Sequence, residues 1–250
     1  MIVLLAACQV FSPEANRLAV AGEPEAAPLP AENPPLPRTS EAPAPPAGPT
    51  ITPHLLPWDE ERERLTVAYR KQHQGYTGED SRVEPRVVVL HWTGGATATS
   101  AWNTFAPTRA ADARPELAGA GDVNVSAHYL VSRDGSIEQL LPEDRMARHC
   151  IGLNHISVGI ENVGSADLGG DPAKWPLTEA QVQANVDLIL AMKGRWPIER
   201  VIGHLEYRKM EGSSYFLELD PTYRTGKPDP GATFVAAVRK KLEGTGITGP

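Results

Sequence analysis

Apolar residues in this chain gather in short dense runs, and the period of each run predicts an element. The four consecutive apolar residues Val87-Val88-Val89-Leu90 are rich in β-branched side chains and predict a strand over 86–91 buried on both faces. Runs over 127–132 and 136–140 flank Arg133-Asp134-Gly135. Asp-Gly supplies the backbone that a tight hairpin turn needs, so the two runs read as paired strands. Two more short apolar strands are predicted over 157–162 and 201–204. A helical period takes over elsewhere. Val182, Val186, Leu188, Ile189 and Met192 recur at about 3.6 residues, with Thr178 as the cap and Leu177 just before it, which predicts a helix over 178–196. Further helices are expected over 58–73, over 97–111 with Thr99 or Ser100 as cap, and over 231–242, with a loop over 115–122. Strands alternating with helices, plus one hairpin, place the chain in the α/β class: a mixed central β-sheet flanked by helices.

Composition divides the 250 residues unevenly. The stretch 23–57 is dominated by Pro, Ala and Glu and lacks the apolar content to offset chain entropy, so it reads as an extended tether. The folded domain is expected over 58–244, with a frayed tail over 245–250. The net charge of −7, with no basic stripe, excludes nucleic acid as a partner. The two cysteines, Cys8 and Cys150, imply neither a disulfide framework nor a zinc finger. Residues 1–22 read as an anchor region. Leu5-Ala6-Ala7-Cys8 closes a brief apolar run and resembles the lipobox of bacterial lipoproteins, in which the cysteine is acylated. That resemblance implies a membrane anchor through lipidated Cys8 and a periplasmic location. Gln9 in place of an aspartate favours the outer membrane. The alternative is a hydrophobic terminus with a coincidental cysteine; the run is too short to span a bilayer.

Candidate chemistry lies at strand ends and in one rigid loop. His91 and His204 each end a predicted strand, and Asp229 stands between Pro228 and Pro230. Taken singly, such histidines are more often structural, and a carboxylate before a helix serves the helix dipole. Taken together, two imidazoles and a carboxylate can make an open three-ligand zinc site, the arrangement of a catalytic rather than a structural zinc. Lys227 then stands as a second catalytic group. His149 is either a substrate or oxyanion contact or a hydrogen-bonded loop histidine. His128, on a strand beside Tyr129, reads more readily as a satisfied core residue, with substrate contact as the other option. Asn154 either borders the substrate or caps a turn. Cys150 beside His149 suggests a thiol nucleophile, but neighbours on a strand point to opposite faces, which argues against the pair.

Several segments in one order sharpen this picture: Val-Leu-His-Trp-Thr (89–93), Ser-Ala-His-Tyr-Leu-Val (126–131), Arg-Asp-Gly (133–135), Ala-Arg-His (147–149), Ser-Val-Gly-Ile-Glu (157–161), Gly-His (203–204) and Lys-Pro-Asp-Pro-Gly (227–231). They resemble the zinc-dependent N-acetylmuramoyl-L-alanine amidases, whose fold is shared with phage T7-type lysozyme and the peptidoglycan recognition proteins. Within that family the chain resembles the branch that trims muropeptides in Gram-negative bacteria. The resemblance implies one Zn2+ per chain held by His91, His204 and Asp229. It implies Glu161 as general base and then acid, Lys227 as the charge that stabilises the transition state, and peptidoglycan or muropeptides as the partner. His149, Asn154 and His128 are then candidate substrate contacts. Three departures stand out. Arg148 replaces the family's tryptophan. Ala127 occupies the position of the tyrosine that thiolate-ligand relatives use. The stretch 205–226 is long and is expected to fold out as a loop, with Tyr207, Arg208, Tyr215, Phe216 and Arg224 either lining the groove or packing on the surface. A non-catalytic peptidoglycan-binding module and a zinc peptidase acting on the stem peptide are the competing functions.

Overall fold

Val87–Trp92 (β2) forms the strand around which the rest of the sheet is arranged. A computed structural model describes residues 48–110 and 120–250 of the chain. The remaining strands among these residues are Ile51–Pro53 (β1), Tyr129–Val131 (β3), Ile137–Gln139 (β4), Ser157–Asn162 (β5) and Arg200–Gly203 (β6). They form one mixed sheet in the order β1-β4-β3-β5-β2-β6. The β3–β4 hairpin is the antiparallel pair, and the other neighbours run parallel. The helices are Glu60–Gln74 (α1), Ala98–Phe105 (α2), Glu179–Lys193 (α3) and Ala232–Lys241 (α4).

The two faces of β2 do different work. Val88 and Leu90 join the main core under α3 and α4, with Val182, Val186, Phe234 and Val235. Val87 and Val89 face the other way, onto Cys150, Leu153, Ile202 and Tyr207. His91 continues that second row and so emerges on the face away from α3 and α4. The α3 helix begins in a reciprocal capping box: Gln181 N–H donates to Thr178 Oγ1, and Thr178 N–H donates to Gln181 Oε1. On the same helix, Asn185 donates to Asn162 Oδ1, and the Asn162 amide donates to the His91 carbonyl. The strand end that carries His91 is thereby tied to the helix layer behind it.

Several expected boundaries move. Helix α2 ends at Phe105 rather than 111, and its cap is Thr97, whose Oγ1 accepts from Ser100 N–H. Residue 111 and most of the expected 115–122 loop lie outside the described residues, as do the 1–22 anchor region with Cys8 and positions 23–47 of the tether. The rest of the tether is part of the fold. Ile51–Pro53 pairs in parallel with β4, and Leu56 is buried beside Leu140 and Leu141. The domain therefore starts before Trp58, because a three-residue edge strand tolerates the proline-rich sequence around it. The 245–250 tail is pinned rather than frayed: Val201 N–H donates to Thr248 O, Thr248 N–H donates to Glu199 O, and Arg200 reaches Gly249 O. The 205–226 stretch opens with a 3-10 helix, His204–Met210, so His204 starts this turn instead of ending β6. No helix among the described residues is long and apolar enough to cross a membrane.

Candidate active site

Parallel register lines up the chemistry. Glu161 on β5 pairs with His91 on β2. On the other side of β2, Leu90 pairs with Gly203, which brings His204 level with His91. Glu161, His91 and His204 thus form one row across the carboxyl ends of three adjacent strands, where open α/β sheets carry their ligand sites. Gly203 makes the third place possible: a Cβ there would fall 2.6 Å from Val235 and 3.2 Å from Pro230. The loop carrying Asp229 packs into that space and is fastened by Leu205 N–H donating to the Asp229 carbonyl at 2.8 Å.

Asp229 closes the group. Its Oδ2 lies 3.1 Å from Nδ1 of His91 and 3.1 Å from Nδ1 of His204. One ligand atom from each of the three residues falls within a common 4.8 Å, and all three residues are buried. Donors sharing a tetrahedral zinc at 2.0–2.2 Å stand about 3.3 Å apart. Two imidazoles and a carboxylate at these separations could hold such an ion. Burial works to raise the Asp229 carboxyl, but the imidazoles of His204 and then His91 beside it outweigh burial and hold the group well below the usual carboxylate range. Burial, aided by the charge of His91 and opposed by Asp229, pushes His204 down to about 4, which keeps its imidazole neutral. Metal ligation requires that state.

The group sits in a cleft of about 300 Å³ whose lining includes Glu161, Lys227, His149, Asn154, Tyr69 and Tyr223. Glu161 and Lys227 therefore share one cleft with the three candidate ligands. His149 is brought in as well, with its Nδ1 3.1 Å from His91 Nε2. Asn154 borders the cleft but acts as a turn residue: its Oδ1 accepts from the backbone N–H of His149 and of Cys150, and its amide donates to Tyr69 Oη. Its assignment as a substrate contact gives way to that of a brace for the loop carrying His149.

His128 does not reach the cleft. It is completely buried, its Nδ1 accepts from Gly159 N–H, and its Nε2 meets the Arg145 carbonyl at 2.8 Å. Both ring nitrogens are used by the backbone, so the substrate assignment is corrected to a core role. Burial pushes His128 down to about 4, against the Arg145 hydrogen bond. The unfolded chain takes up this proton near pH 6.5 and the folded chain only near pH 4, so stability is lost as pH falls through that window, by roughly 3 kcal/mol from this group. Urea melts in chelator should show a shallower loss between pH 7 and pH 4.5 for His128→Gln than for the parent.

Cys150 is buried, and burial first, then the charge of Asp229, raises its thiol well above the ordinary value. That excludes it as a ready nucleophile. The aromatic residues expected from 205–226 are mostly packed away. Tyr207 is buried and donates to Thr225 O, Tyr215 Oη donates to Glu199, and Phe216 lies against Gly152. Tyr223 and Thr225 line the cleft in their place. Arg148, where the family has tryptophan, donates to the Gly121 and Val123 carbonyls and lies over the Tyr69 ring, so it builds the wall beside the substrate space.

The chain is similar to known proteins. The family model described as N-acetylmuramoyl-L-alanine amidase (Amidase_2) matches residues 81–232, more than half of the chain. Over 84 residues the chain is 32% identical to the endolysin of Klebsiella phage KP32, covering 34% of this chain and 55% of that protein. Over 102 residues it is 34% identical to the 1,6-anhydro-N-acetylmuramyl-L-alanine amidase AmpD of Citrobacter freundii, covering 37% of this chain and 50% of that protein. The chain spans about half the length of the curated relatives it matches. Among solved structures it is similar to the N-acetylmuramoyl-L-alanine amidase LysC from Clostridium intestinale URNW, with a TM-score of 0.47 and 16% identity over 78% of this chain and 97% of that one. A selenomethionine AmpD structure gives a TM-score of 0.42 and 27% identity over 63% of this chain and 84% of that one. With the match running from before β2 to the first residue of α4, and so across the three candidate ligands, Glu161 and Lys227, the chain belongs to the Amidase_2 family of N-acetylmuramoyl-L-alanine amidases.

Proposed function

We propose that this chain is a zinc-dependent N-acetylmuramoyl-L-alanine amidase that hydrolyses the amide between N-acetylmuramic acid and L-alanine in peptidoglycan or its muropeptides. The observation that carries the reading is the meeting of His91, His204 and Asp229 within 4.8 Å, in one cleft with Glu161 and Lys227 and inside the family match. His91, His204 and Asp229 would hold one zinc ion, which when bound polarises an amide carbonyl and acidifies water.

The chain's own groups supply the rest. Glu161 accepts the proton of the attacking water at a carboxylate oxygen and delivers it to the nitrogen of the departing L-alanine. The carbon–nitrogen bond breaks, the lactyl carbonyl becomes a carboxylate, and the peptide leaves with a free amino terminus. Lys227 places a positive charge in the cleft where the carbonyl oxygen gains negative charge. Tyr69 and Tyr223 give the cleft aromatic walls for a substrate that is part sugar and part peptide.

Product identification tests the reading. Purified peptidoglycan treated with the full chain should yield peptides beginning at L-alanine and intact glycan, and a zinc chelator should abolish the yield. Stoichiometric zinc without amide cleavage would leave a binding module in place of an enzyme, and cleavage within the stem peptide would make it a peptidase. The acylated anchor at Cys8, with placement in the periplasm and at the outer membrane, belongs to the same proposal and rests on Leu5-Ala6-Ala7-Cys8. Incorporation of labelled fatty acid into the parent but not into Cys8→Ser would support it, and equal absence from both would remove it.

A further inference from the structure

We propose that His149 and Ser157 are positioning residues that fix which nitrogen of His91 faces the metal. The inference rests on the zinc reading above and deepens it. Ser157 Oγ lies 2.7 Å from the Leu153 carbonyl, which can only accept, so the single hydroxyl proton points there. His149 Nε2 lies 3.2 Å from the same Oγ. With the serine proton already placed, this second contact is a hydrogen bond only if His149 Nε2 donates. A neutral His149 then has a bare Nδ1. That atom is 3.1 Å from His91 Nε2, so the proton between the two rings must come from His91.

The consequence falls at the other edge of His91. A neutral imidazole with its proton on Nε2 has a lone pair on Nδ1. That lone pair points at Asp229 Oδ2, 3.1 Å away, itself an acceptor. Two acceptors facing each other across a buried gap are satisfied by a cation between them. The serine, at the start of β5 and separated from His91 by the His149 ring, thus sets the direction of every proton in the series from Leu153 to His91. The reverse arrangement, with a proton on His149 Nδ1, would force the His91 proton onto Nδ1 and block ligation.

The sheet holds this series in place. Ser157, Gly159 and Glu161 alternate on one face of β5. A Cβ at Gly159 would lie 2.8 Å from Cγ of His149, so the missing side chain is what lets the imidazole lie against the strand between the serine and the catalytic glutamate. Asn154 Oδ1 fixes the backbone on either side by accepting from His149 and Cys150 N–H. Metal-bound histidines ordinarily donate their second N–H to a carboxylate or carbonyl, and such partners are worth 10–100-fold in metal affinity. Here the partner is a second imidazole, oriented in turn by a hydroxyl.

Zinc affinity of the full chain, measured by competition with a chromophoric chelator, tests the assignment separately from turnover. His149→Phe should weaken zinc binding by about 10–100-fold. His149→Asn, whose Oδ1 replaces the Nδ1 acceptor, should recover most of that loss, and Ser157→Ala should show a smaller loss than His149→Phe. In nitrogen-15-labelled, zinc-free parent protein, His91 and His149 should both carry their proton on Nε2. A folded His149→Phe with parental zinc affinity would overturn the proposal, as would His149→Asn binding no better than His149→Phe. Should His149→Phe fail to fold, the parent spectrum decides, since a proton on Nδ1 of either ring is incompatible with the series. Failure of the parent itself to bind zinc would instead strike the functional reading on which the inference stands.

Discussion

Replacing Asp229 with alanine should leave the protein with neither bound zinc nor amidase turnover. The carboxylate is the only oxygen donor of the three-residue group, and its Oδ2 is the atom that both imidazoles approach at 3.1 Å. Two histidines remain in Asp229→Ala, one ligand short of the three that a catalytic zinc site uses. The loop itself should survive, because it is fastened through backbone: Leu205 N–H to the Asp229 carbonyl and Gly231 N–H to the Pro228 carbonyl. Far-ultraviolet circular dichroism should therefore stay near the parent's while zinc content falls to background and product disappears. One zinc per chain together with parental turnover in Asp229→Ala would remove this residue from the ligand set.

What sequence alone reveals here depends on how local the physics is. Ser157–Asn162 is predicted and found over the same residues because its apolar run is bounded on both sides and buried in the sheet interior. The candidate ligands are legible because strand ends and a proline-bracketed loop are local signatures. Their alignment is not. It comes from the β5-β2-β6 order and from a register that pairs His91 with Glu161, both long-range properties. The start of the domain is misread for a related reason. Ile51–Pro53 has linker composition and becomes a strand only because β4 offers it a partner. Arg62 shows how helix ends are set at a distance: buried in α1, it donates to the Phe105 and Pro107 carbonyls just where α2 stops. The role of Ser157 is hidden until His149 folds back over β5. Gly159 is the trace it leaves in the sequence, since a glycine inside an otherwise good strand marks a close approach by something else.

Glu161→Ala should separate chemistry from metal binding, and that separation is the sharpest test of how labour is divided in the cleft. Glu161 sits beside His91 in register but is not one of the three residues whose ligand atoms converge. Its removal subtracts nothing from that set, so zinc content should match the parent's. It lies half-buried at the end of β5, facing the cleft, so the strand should tolerate the shorter side chain. Without it, among the described residues no carboxylate outside the ligand set lines the cleft to carry a proton from water to the leaving nitrogen. A positioned acid–base group typically contributes 10²–10⁴-fold, and turnover of a muramyl-L-alanine substrate should fall by about that factor. Set against Asp229→Ala, both variants should be severely impaired in turnover and differ in zinc. Near-parental activity in Glu161→Ala would mean that proton transfer belongs to another group in the cleft, and loss of zinc from it would mean that the carboxylate belongs to the ligand set after all.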